Sequence, residues 1–190
     1  MTLKELRAVI KTPYFFWYQL ERLFPGEKKE SMRVQLARLA EKGEVVRLKK
    51  GLYIFADAQI DNLSLSGLIY RPSYVSLETA LNLYGLMPDI PLQVTAVTTK
   101  SPRKFDSPKG VYIYSLVERK LFFGYEKHVD NSGVSYDLAF AEKALLDWLY
   151  IRRVSDLTDY RIDRSSLDTK KLQQFSQSFP DWVRKALKYE

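Results

Sequence analysis

The stretch ESMRVQLARLAEKGEVVRLKKGLYIF, residues 30–55, changes its period half-way along. Up to Lys42 the apolar residues recur at helical spacing, with Met32, Leu36, Leu39 and Ala40 on one side. Gly43 is a natural helix stop. Beyond it, two arms of β-branched and aromatic residues flank a Lys-Lys-Gly tip, the pattern of a β-hairpin. The stretch therefore predicts one amphipathic helix running straight into one hairpin. Its charges are unusual for a small core: Arg33, Arg38, Arg47, Lys49 and Lys50 are all basic.

Two helices are expected upstream. Thr2 and Glu5 form a capping box ahead of Leu3, Leu6, Val9 and Ile10. Thr12 followed by Pro13 marks a second start, with proline at the first helical position, and that helix runs through YFFWYQLERLF to Pro25-Gly26. Three helices and a basic hairpin within residues 1–56 are the order of a winged helix-turn-helix, in which the third helix enters the DNA major groove and the hairpin lies beside it.

Charge placement agrees with that order. The chain of 190 residues carries a formal charge of +7. Residues 1–56 hold 12 Lys/Arg against 6 Asp/Glu, and the rest hold 18 against 17. The excess is concentrated in the first third, which suggests a polyanionic partner there. On the third helix, Ser31, Val34, Ala37 and Arg38 fall opposite the apolar side, Gln35 and Lys42 lie near its edge, and Arg33 flanks it. Arg33, Gln35 and Arg38 can donate to base edges, and Val34 and Ala37 permit close approach. Lys28 and Lys29 are placed for phosphates, while Arg47, Lys49 and Lys50 would meet flanking backbone or the minor groove. No RNP-like aromatic strand pair or GxxG clamp favours RNA.

Residues 57–62, DAQIDN, read as a linker to a mixed α/β domain over 63–190, which makes the chain α+β. Ser76 is expected to cap a helix with Leu77, Ala80, Leu81 and Tyr84 on one face, ended by Gly85. Strands are expected at 92–99 and 110–117, joined by a basic loop, Lys100 to Lys109. LAFAEKALLDWLY, 138–150, is a helix with Ala141, Ala144, Leu145, Trp148 and Leu149 on one face. Further helices are expected at Asp168–Gln177 and Asp181–Lys188.

The chain has no cysteine, so disulfides, thiolate zinc sites and cysteine nucleophiles are excluded. His128, the only histidine, falls in the polar segment GYEKHVDNSG and is expected to be an exposed loop residue. Glu78, Glu142 and Asp147 are candidate acids with simpler roles: Glu78 at a helix N-terminus, Asp147 in a surface i, i+4 pair with Lys143. No Gly-rich phosphate loop and no carboxylate cluster with metal-ligand spacing occurs, so no cofactor, metal or catalytic residue is expected. Charges at Lys4, Glu5, Arg7 and Lys11 interrupt the N-terminus, and no run approaches the roughly 20 apolar residues of a membrane helix. A soluble cytoplasmic protein is expected.

RLKKGLYIF, RPSYVSLETALNLYGLMPD, VTAVTTKSPRKF and FAEKALLDWLY occur in an order that resembles the AbiEi-type antitoxins of abortive-infection (type IV) toxin–antitoxin systems. The resemblance implies an N-terminal domain that represses its own operon by binding inverted repeats in the promoter, and a C-terminal domain that supports antitoxicity. It also implies a nucleotidyltransferase-like toxin as functional partner without a stable complex, and a monomer or weak dimer that pairs on DNA. Its DNA-contacting surface corresponds here to Arg33, Gln35 and Arg38 of the third helix and Arg47, Lys49 and Lys50 of the hairpin. Two other classes stay open on the sequence: a winged-helix protein-interaction module that binds no DNA, and a metal-dependent nuclease using Glu142.

Overall fold

The computed structural model describes residues 1–158 and 160–187. Within them the chain is mixed α+β, with eight α-helices and two sheets. The first part runs α1 (Leu3–Val9), β1 (Tyr14–Phe16), α2 (Trp17–Leu23), α3 (Lys29–Glu41), β2 (Val45–Lys49) and β3 (Leu52–Phe55). The Thr2–Glu5 capping box is formed: the Glu5 amide donates to Thr2 Oγ1 at 3.3 Å and the Thr2 amide to Glu5 at 2.6 Å. Met32, Leu36 and Leu39 are buried, as the helical period predicts.

One expectation fails upstream of α3. Tyr14–Phe16 is a strand, paired antiparallel with Leu52–Ile54 in a three-stranded sheet of order β1-β3-β2, and the helix begins only at Trp17. The local Pro13 signal loses to pairing with a strand some 40 residues away, which no local pattern encodes. Phe15 faces the helices while Tyr14 and Phe16 face the other way, so this sheet is covered on both sides.

The rest continues with α4 (Asn62–Ile69), β4 (Ser73–Val75), α5 (Leu77–Leu83), β5 (Val94–Thr98), β6 (Arg103–Ser107), β7 (Gly110–Leu116), β8 (Tyr125–Val129), β9 (Ser135–Ala139), α6 (Ala141–Arg152), α7 (Thr169–Ser176) and α8 (Asp181–Ala186). The final residue of the helix expected at 181–188, Lys188, lies outside the described residues. The larger sheet has order β6-β7-β5-β4-β9-β8, parallel where β5 meets β7 and β4 meets β9. Neighbouring Ala96 and Val97 on β5 belong to different apolar clusters. Hence α4 and the β2–β3 hairpin cover one face, and α5 to α8 the other.

Four further readings are corrected. The segment read as a linker already ends in a helix, since Asp61 precedes α4 as its N-cap. Six of the eight α4 residues are buried, so the helix shows no amphipathic stripe. The basic loop 100–109 contains edge strand β6, whose charges suit an unpaired edge. His128 lies on β8, half-buried and stacked on Tyr136 with ring centroids 5.6 Å apart; its Nε2 is 3.2 Å from Glu126 but not aligned for a hydrogen bond. Ser76 is the N-cap residue of α5 by position, but its hydroxyl makes no capping bond and donates instead to Asp147 at 2.9 Å.

The largest correction concerns Lys143 and Asp147, which form no surface pair. Both side chains are fully buried and bonded to each other in the core. All of α6 from Glu142 to Leu149 is buried, because the sheet lies on one side and α7 and α8 on the other.

The face shared by the hairpin and the larger sheet makes a pH-dependent contribution. Burial pushes the Tyr112 phenol up to about 12 and the Tyr114 phenol higher still. The folded chain therefore holds these protons more tightly than the unfolded chain, whose phenols titrate near about 10. Their stabilisation is present below pH ~10 and is lost as the pH rises through about 12. Urea midpoints should fall over that window, and the fall should flatten in Tyr112→Phe/Tyr114→Phe. An unchanged alkaline profile in the double variant would show that these phenols ionise freely in the folded state.

Candidate nucleic-acid interface

Helix α3 and the β2–β3 hairpin face each other across an open groove of about 630 Å³. It is lined by Trp17, Leu36, Ala37, Ala40 and Tyr53, by Arg33 and Glu41 of α3, and by Arg47, Lys50 and Gly51 of the hairpin. Arg33, Arg47 and Lys50 are exposed. Gly51 closes the hairpin with φ +80°, a turn conformation that L side chains rarely adopt.

The expected residues divide by position. On the crest of α3, Val34 is 51% exposed beside exposed Ala37 and Arg38. Arg33 lies over the Trp17 ring, 5.5 Å from its centroid, and 4.0 Å from Glu30. Gln35 donates to Ser31 Oγ at 3.0 Å, and its Oε1 is buried without a hydrogen-bond partner. Gln35, Arg38 and Lys42 line a second, smaller cleft against the chain start. Lys28 is the exposed N-cap residue of α3, and Lys29 pairs with Glu21 at 2.9 Å. Bonds from Lys29 first and Trp17 second hold the Glu21 carboxyl below its ordinary range.

Lys49 is separated from this set. Pairing of β2 with β3 shifts register between Arg47 and Lys49, so that Lys49 stands opposite Leu52. The extra residue turns Lys49 onto the face that carries Leu48, Leu52 and Ile54. There its ammonium donates to the Ile69 carbonyl and lies 5.8 Å from the Phe105 ring centroid. Burial first and Lys100 second lower its pKa. Strict alternation along VVRLK misplaces this lysine, because a bulge leaves no mark in the sequence.

Sequence reasoning also passed over four residues of this surface. Trp17 and Tyr53 line the groove, and Glu30 and Glu41 sit on the exposed side of α3, Glu41 also lining the groove. Helical phase was sufficient to find the two glutamates, which stand at the two ends of the crest. Nothing local places Trp17 beneath Arg33.

The arrangement offers donors, small apolar groups and carboxylates on one helix, with exposed cations across a groove. Carboxylates can accept from cytosine amino groups, as arginines donate to guanine. Among the described residues no three His, Asp or Glu side chains gather into a group able to hold a metal ion. Glu142 is buried, accepting from the Asp168 amide at 2.9 Å and lying 3.8 Å from Lys171. Among the described residues no helix is long and apolar enough to cross a membrane. No family model matches the chain, and no curated protein shows significant similarity to it.

Proposed function

We propose that the chain is a sequence-specific double-stranded DNA-binding repressor whose first part is a winged helix-turn-helix. The observation that carries this reading is the groove in which Arg33 of α3 faces Arg47 and Lys50 of the hairpin. Helix α3 reads bases through Arg38, Arg33 and its small crest residues, and the hairpin grips phosphates. The order α1, β1, α2, α3, β2, β3 supports the assignment, with β1 as the third strand behind the wing. The resemblance to AbiEi-type antitoxins extends the proposal: a cytoplasmic autorepressor of a type IV toxin–antitoxin operon, two copies pairing on an inverted repeat, and a nucleotidyltransferase-like toxin neutralised without a stable complex.

Selection of duplexes from a randomised pool by the full chain tests the proposal. The recovered sequence should bind far more tightly than its scrambled version at physiological salt. Arg38→Ala should reduce discrimination at one base position by about 1–3 kcal/mol while leaving the scrambled duplex almost unaffected. Equal affinity of the wild type for both duplexes would contradict a repressor.

A further inference from the structure

We propose that Trp17 is the positioning residue of this interface, fixing the direction of Arg33 and Lys29 and the spacing between α3 and the hairpin. The proposal rests on the DNA-binding reading and adds a residue outside the recognition helix and the wing. Three parts of Trp17 serve three partners. Its backbone N–H donates to the Gly51 carbonyl at 2.9 Å, tying the start of α2 to the hairpin tip. Its ring lies under the Arg33 guanidinium at 5.5 Å. Its indole Nε1 donates to Glu21 at 2.7 Å, and the same carboxylate oxygen holds Lys29 at 2.9 Å.

Trp17 packs against the core of the first part without lying inside it. It is half-buried, whereas its neighbours Phe15 and Leu20 are 0% exposed. An exposed arginine samples many rotamers, and a ring beneath its guanidinium restricts them before any base arrives. Trp17 also lines the groove between α3 and the hairpin.

The test uses the full chain with a duplex selected from a randomised pool and its scrambled version. Trp17→Leu removes ring and indole together and should lower the selected-to-scrambled affinity ratio by about tenfold, the size of one weakened base contact. Scrambled-duplex affinity should fall less than selected-duplex affinity, and Trp17→Phe, which keeps a ring under Arg33, should recover most of the ratio. In an Arg33→Ala background Trp17→Leu should change the ratio no further, because the two residues act as one unit. Should Trp17→Leu fail to fold, Glu21→Ala replaces it, with an expected loss of about threefold in the ratio. An unchanged ratio, or equal losses on both duplexes together with a lower melting temperature, would overturn the proposal. A wild type without preference would overturn the DNA reading itself, and this proposal with it.

Discussion

Asp147→Ala should destabilise the chain by about 3–5 kcal/mol, the range for breaking a buried pair by removing one partner. Asp147 lies in the core with no exposure, where it accepts from Lys143, from the Tyr74 hydroxyl at 2.9 Å and from the Ser76 hydroxyl at 2.9 Å. Burial pushes its carboxyl up, against the opposing pull of the Lys143 charge and these hydrogen bonds. Lys143 is pushed down by burial, and its ammonium also donates to Tyr74 at 2.8 Å. Removing Asp147 leaves this ammonium among the Tyr74, Phe123 and Phe179 rings, which cannot replace a carboxylate. It also frees Ser76 next to Leu77, a non-glycine residue held at φ +60°. For a chain of this size the loss corresponds to a melting temperature lower by roughly 6–20 °C. The double variant Lys143→Met/Asp147→Leu should recover part of it, since apolar residues of similar volume can replace a buried pair, while the Tyr74 and Ser76 hydroxyls still lose their acceptor. A single variant within about 1 kcal/mol of wild type in urea unfolding would show that the pair holds nothing in place.

Arg47→Ala/Lys50→Ala should weaken binding to every duplex by roughly ten- to a hundredfold, as expected for two lost charge-assisted phosphate contacts. The slope of log affinity against log salt should fall by about 2, one counterion for each contact. Lys49→Met should leave that slope unchanged, because the Lys49 ammonium is spent on the Ile69 carbonyl and faces away from the groove. The three lysine and arginine positions lie within four residues of one another, so general electrostatics treats them alike. Only the bulge between Arg47 and Lys49 separates them. A slope that falls equally for Lys49→Met would place Lys49 in the interface and contradict the assigned register.

Helix α3 was legible because one of its faces is core and the other is solvent. Met32, Leu36 and Leu39 mark the inner side at helical spacing, which fixes Arg38 and Val34 as outward residues. The capping box at Thr2 and the strands β5 and β7 were legible for similar local reasons. What failed depends on contacts distant in sequence. Tyr14–Phe16 becomes a strand through Leu52–Ile54, and α4 hides its period by being buried on all sides. Lys143 and Asp147 have the spacing of a surface pair, and only the packing of α7, α8 and the sheet around α6 makes them a buried one. Packing between the first part and the rest also depends on contacts distant in sequence. Leu48, Leu52 and Ile54 of the hairpin share one apolar cluster with Leu65 and Leu68 of α4 and Tyr112 and Tyr114 of the larger sheet.

That shared cluster bears on function, because it fixes the hairpin from behind while Arg47 and Lys50 face the groove. Footprinting of the full chain on the DNA upstream of its own reading frame is the most direct measurement of the function proposed. A protected stretch with two-fold symmetry is expected, lost at high salt and lost at moderate salt with Arg47→Ala/Lys50→Ala. Uniform protection along the whole fragment, or none at low salt, would contradict a sequence-specific repressor.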